Sequence, residues 1–168
     1  MTHIIDAYNL AYALAREHGQ FGHPNPDKKE TDEKLIKVIR TWLGQGGKKA
    51  ILVFDSYDPM GDKIKSGNLE IIYVPHDNFY KSADDKIIEI TKNLSANEKE
   101  IVIVTDDEEI KTKINEFKGS DAKIKFESAI TFAKKLLRRK KTSDLDDNGL
   151  GADDIDAINQ ELLKRWKK

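Results

Sequence analysis

Short β-branched runs, each too short for a helix, alternate with amphipathic helical stripes along most of this chain, and few folds accept that rhythm. The runs are His3–Ile5, Ala50–Phe54, Leu69–Val74, Ile101–Val104 and Ala122–Phe126, and their length and β-branching read as strands. Between them lie helical patterns at Glu33–Leu43, Ala83–Leu94, Glu108–Phe117 and Ser128–Arg139; the first places Leu35, Ile36, Ile39, Trp42 and Leu43 on one stripe. Strands separated by helices join through right-handed crossovers. The expected fold class is therefore α/β, in three layers around a mostly parallel central sheet of about five strands.

Composition narrows the function classes. At 168 residues the chain is the size of one α/β domain. Apolar residues make up 38% and charged residues 35%, with 29 Lys and Arg against 30 Asp and Glu, which excludes disorder driven by net charge. There is no cysteine, so disulfides, thiolate metal sites and a Cys nucleophile drop out, and a reducing cytoplasm is the expected location. No run approaches the ~20 apolar residues that span a bilayer, and MTHIIDAYNL does not read as a secretory leader. No membrane partner is expected.

Two Gly- and Pro-containing stretches, Glu17–Asp32 and Ser56–Asn68, read as surface loops. The expected organisation is a domain over 1–141, an acidic linker over 142–151 (TSDLDDNGLG), and an amphipathic C-terminal helix over 152–168, where Ile155, Ile158, Leu162 and Trp166 recur at helical spacing. Packing on the domain, a partner and a second copy forming a homodimer are all open to that helix.

Sheets of this kind bind ligands beyond the carboxyl ends of their strands, and those ends are acidic here. Asp6 follows the first run, Asp55 the second, and Asp106 and Asp107 the fourth, while Asp84 and Asp85 open the helix after the third. Any one of them has a plain explanation, because Asp caps helix N-termini and favours the dipole by about 0.3–1 kcal/mol. Several carboxylates at one edge repel one another and raise each other's pKa unless a cation neutralises them. An oxygen-only donor set suits Mg²⁺ or Mn²⁺, ions that keep waters and share carboxylates with a substrate phosphate. Phosphodiester chemistry is the candidate activity. Asn9 lies three residues after Asp6 and would share its first helical turn; it orients a water, metal or phosphate, or completes a cap. Ser82 and Thr105 flank the acidic pairs as candidates to hold them by hydrogen bonds.

The ordered motifs IIDAYNL (Ile4–Leu10), ILVFDS (Ile51–Ser56), LEIIYV, SADDKI (Ser82–Ile87) and IVIVTDD (Ile101–Asp107) resemble the NYN domain family, and most closely its YacP-like branch of bacterial ribonucleases. The resemblance runs over roughly residues 3–139 and implies a PIN-like fold and divalent-metal-dependent endoribonuclease activity, with ribosome-associated messenger RNA as a substrate in some members. Transferred by position, it implies Asp6 as leading metal ligand with Asn9 its companion, Asp84 and Asp85 as the second acidic element, Asp107 as the ligand after the fourth strand, and Asp55 near the site. The chain departs from the family pattern in Ala7 for Gly, Asp85 for Glu, Asp106 for a small polar residue, and the extra terminal helix. Asp106 adds charge that would compensate for the shorter Asp85, as a further metal ligand. The implied chemistry is metal-assisted hydrolysis that leaves a 5′-phosphate and a 3′-hydroxyl.

RNA would be held by cations and aromatics. The run KKLLRRKK contains Lys134, Lys135, Arg138, Arg139, Lys140 and Lys141, which serve either as a solvated helix end or as phosphate ligands. Lys81 and Lys86 bracket the Asp84–Asp85 pair. Tyr8, Tyr57, Phe79 and Tyr80 lie beside strand ends, for base stacking or core packing. A non-catalytic RNA- or ribosome-binding module of the same fold is the main alternative; a toxin-type PIN ribonuclease would share the chemistry. A response-regulator receiver is excluded, because its acidic pair follows the first strand.

Overall fold

A computed structural model describes residues 1–17, 29–44, 46–55, 61–75, 82–98, 100–117 and 123–143, with side chains described as far as Arg138. In chain order the elements are β1 (Thr2–Asp6), α1 (Ala7–Glu17), α2 (Lys29–Leu43), β2 (Lys49–Asp55), β3 (Asp62–Ser66), β4 (Leu69–Val74), α3 (Ala83–Ser95), β5 (Glu100–Val104), α4 (Glu108–Phe117), β6 (Lys123–Glu127) and α5 (Ala129–Ser143). One sheet runs β3-β4-β2-β1-β5-β6. Every neighbouring pair is parallel except β3 with β4. The central strand, β1, is buried along its whole length, as expected where helices cover both faces of a parallel sheet.

Side chains alternate between the faces of a strand, and that parity builds two cores. Ile5, Leu52, Phe54, Ile71, Val102 and Val104 pack with α1, α2 and α5. Their neighbours in sequence, Ile4, Ile51, Val53, Ile72, Ile101 and Ile103, pack with α3 and α4. The result is the expected three-layer α/β architecture. By the same parity Asp6, Asp55 and Thr105 belong to the α3–α4 face, and Asp106 to the other.

Three elements differ from the sequence expectation. The expected loop Ser56–Asn68 contains β3, a sixth strand that pairs antiparallel on the edge of β4. Its DKIKS sequence offers a single apolar residue, and its side chains are mostly exposed, the composition of a protected edge strand. Helix α1 follows β1 with no connecting loop, and α2 begins at Lys29, four residues before the expected start. The expected C-terminal helix, 152–168, lies outside the described residues, as does the acidic linker from 144 onward. No helix among the described residues is long and apolar enough to cross a membrane.

Candidate functional site

Where β1 hands over to α1, Asp6 is the last strand residue and caps the helix. Its Oδ1 accepts from the Asn9 backbone N–H at 3.1 Å. Its Oδ2 accepts from the Asn9 side-chain amide and from the Thr105 hydroxyl at 3.3 Å. Thr105 is fully buried and Asp6 is 6% exposed. The Thr105 Oγ1 also accepts from the Asp107 backbone N–H at 3.1 Å, so one hydroxyl links the end of β1 to the turn after β5. Burial pushes the Asp6 carboxyl above its usual range, and the Asp55 charge adds to this, while the Asn9 and Thr105 donors pull it back.

Two helix N-termini point at this edge. Asp107 caps α4: its Oδ1 accepts from the Glu109 N–H at 2.6 Å and the Ile110 N–H at 3.3 Å. Helix α3 is capped from another strand. Ser82 occupies its N-cap position without a side-chain cap bond, and Asp55 Oδ1 accepts from the Ala83 N–H at 2.6 Å. Asp84 and Asp85 follow in the first turn of α3. The Asp84 carboxyl is raised to about 6, first by burial and then by the charges of Asp6, Asp107, Asp55 and Asp85. A helix N-terminus should lower a carboxylate pKa, so burial and the neighbouring acids outweigh it. Five carboxylates from β1, β2, α3 and the β5–α4 turn are thus electrically joined at one place.

Of the residues expected here, Asp6, Asn9, Asp55, Asp84, Asp85, Thr105 and Asp107 lie in this group. Asp106 does not: its Oδ1 accepts from the Ala129 N–H at 3.1 Å and caps α5, because strand parity turns it to the opposite face. Lys86 pairs along α3 with Glu89 at 3.0 Å. Lys134, Lys135 and Arg138 ride on α5, across the sheet from the acids; Lys134 reaches Glu17 at 3.7 Å and Lys135 reaches Glu127 at 2.6 Å. Tyr8 is half-buried, edge-on to Phe54. Lys81, Tyr57, Phe79 and Tyr80 lie outside the described residues, as do the side chains of Arg139, Lys140 and Lys141.

One cation at the site escapes sequence reasoning. Lys113 on α4 pairs with Glu109 at 2.7 Å, and its ammonium is held above its usual range first by Glu109 and then by Asp85 and Asp84. In sequence it is half of an ordinary i,i+4 ion pair; only the adjacency of α3 and α4 reveals what it faces.

Among the described residues, no three acidic or imidazole side chains are gathered into a ready-made metal cage. The donor chemistry nevertheless fits a hard divalent ion. Every group is an oxygen, Asp84 receives no hydrogen bond among the described residues, and Mg²⁺ is ordinarily held by one or two carboxylates plus waters and substrate phosphate.

The sequence pattern of the YacP-like NYN domain matches residues 3–168. The chain belongs to that family. No curated protein sequence matches it. Among solved structures, Rae1 (YacP) from Bacillus subtilis is similar at 19% identity, with a TM-score of 0.59 over 100% of this chain and 93% of that one. A tryptophan-to-leucine mutant of the same Bacillus subtilis protein is similar at 20% identity, with a TM-score of 0.60 over 97% and 90%. The fold of this YacP-like NYN domain is accordingly PIN-like, a nuclease-type architecture.

Proposed function

We propose that this chain is a divalent-metal-dependent endoribonuclease that hydrolyses RNA phosphodiester bonds, with ribosome-associated messenger RNA as its substrate class. The observation that carries the reading is the gathering of Asp84 with Asp6, Asp55, Asp85 and Asp107 at one edge of the sheet, where their charges act on one another. Concentrated negative charge of this kind costs stability, and a cation with a phosphate substrate gives it a use. The RNA preference comes from the family; a cytoplasmic location rests on the cysteine-free composition.

Asp6, Asp84 and Asp107 would hold Mg²⁺ or Mn²⁺, with Asp85 and Asp55 adjoining. Such an ion supplies Lewis-acid polarisation of the phosphate and a bound water of lowered pKa. The chain's own contribution is preorganisation. Asn9 and Thr105 clamp the Asp6 carboxylate so that it does not swing away from its like-charged neighbours. Asp107 commits Oδ1 to the α4 amides and keeps Oδ2 clear of any donor among the described residues. Lys113 offsets part of the Asp84 and Asp85 charge at the rim, where the phosphodiester backbone must approach.

The non-catalytic RNA-binding alternative draws on the lack of a closed cage of metal ligands among the described residues. One experiment separates the two: cleavage of a labelled single-stranded RNA with Mg²⁺ or Mn²⁺, compared with EDTA and with Asp6→Asn/Asp107→Asn. Cleavage is expected only for the parent chain with metal. RNA binding without cleavage under every condition would favour the non-catalytic module.

A further inference from the structure

Helix α1 leaves the acidic site with one face turned to solvent. Asn9, in its first turn, belongs to the site; Tyr12 and Arg16 follow three and seven residues later, on the same side of the helix. Tyr12 is 53% exposed, one of two large hydrophobics so exposed among the described residues, and no hydrogen bond or ring from those residues engages it. Arg16 is likewise exposed and has no acidic partner among the described residues. Single exposed aromatics are common and by themselves mean little. This one is distinguished by what it continues. The helical rise puts Tyr12 about 4.5 Å and Arg16 about 10 Å beyond Asn9 along the axis, and side chains on a helix lean back toward its N-terminus, here toward the acids.

A polyanionic strand entering a cluster of carboxylates needs a foothold that is not electrostatic. An aromatic face supplies one, because every base presents a π-surface to stack on. A guanidinium one turn farther on, beyond the acidic field, can then take a phosphate. We propose that Tyr12 stacks on an unpaired nucleobase beside the scissile phosphate, and that Arg16 binds a phosphate farther along the same strand. This deepens the nuclease reading and rests on it for the position of the scissile bond.

The test uses the full chain carrying Asp6→Asn, so that RNA stays uncut, and single-stranded RNAs with 2-aminopurine walked through each position. Quenching is expected at one position, lost with Tyr12→Ala and kept with Tyr12→Phe. Affinity should fall roughly 5- to 150-fold in Tyr12→Ala, and Arg16→Ala should lower the salt slope of binding by about 0.7. Because Tyr12 is exposed, the melting temperature should not move, which separates a binding defect from a folding one. Tyr12→Ala that binds and quenches like its parent would overturn the proposal, and so would a parent that binds no RNA. A chain with Asp6 intact that quenches but never cleaves would support the stacking site and sink the nuclease reading alone.

Discussion

Asp84 differs from its acidic neighbours Asp6, Asp55 and Asp107 in having no hydrogen-bond donor among the described residues. Asp6 is held by Asn9 and Thr105, Asp55 by an α3 amide, and Asp107 by two α4 amides. With no such compensation, the Asp84 carboxyl rises from 3.8 to about 6, and the sign of its effect on stability follows. A carboxylate whose pKa is higher in the folded chain than in the unfolded one opposes folding above the folded pKa, and the penalty fades as pH falls through 6 toward 3.8. Asp84→Asn should therefore raise the melting temperature at pH 7–8 in EDTA by about 2 °C, a modest gain because Asp84 is only half-buried and solvent screens part of the repulsion. The gain should disappear below about pH 4. The same substitution should reduce RNA cleavage with metal by about 100-fold. Thermal melts across pH and a cleavage assay at one pH check both halves; a variant less stable than its parent at neutral pH would refute the account.

At the scale of elements, the β3–β4 hairpin sets the margin of the sheet, and two glycines set the hairpin. Gly67 opens the two-residue turn at a φ of +57°, the pattern of a tight hairpin with glycine first. An added Cβ there would meet nothing within 4 Å. Gly61 has a φ of +59°, but its Cβ would lie 2.7 Å from Pro75 Cδ and 2.8 Å from the Tyr73 carbonyl oxygen. Gly67→Ala should cost about 1–2 kcal/mol, the backbone penalty alone; Gly61→Ala should cost at least about 1 kcal/mol more because it also overpacks. Urea melts of the two variants give the comparison. The hairpin also shows where sequence reading stops. Runs such as AILVF in β2 announce themselves because parallel strands are apolar on both faces, and the acids that end them are legible for the same reason. Asp62–Ser66 has one apolar residue and reads as loop. Asp106 groups with Asp107 in sequence because proximity along the chain hides the parity that sends adjacent strand-end residues to opposite faces. Lys113 gives no signal of its own, since its relation to Asp84 and Asp85 exists only once α3 lies beside α4.

Over the whole molecule, charge is separated more than the near-zero net charge reveals. The acids occupy the carboxyl edge on the α3–α4 face. Helix α5 starts at that edge, where Asp106 caps it, but it packs on the other face and runs back toward the start of β1, where Phe132 lies 5.9 Å from His3. Lys134, Lys135 and Arg138 therefore descend away from the site, and the first two are already paired with Glu17 and Glu127. A short unstructured RNA threaded through the acidic edge has no reason to reach them, whereas a longer or folded RNA can. Lys134→Glu/Arg138→Glu should leave kcat/KM for a short substrate within about twofold of the parent, since exposed charges screened over more than a Debye length of ~8–10 Å contribute little. Binding of a long RNA should weaken, with the salt slope reduced by about 0.7 for each phosphate the variant no longer neutralises. Equal weakening on short and long RNA would instead put these cations beside the cleaved strand, and the path of the substrate would have to wrap from the acidic edge across α1 onto α5.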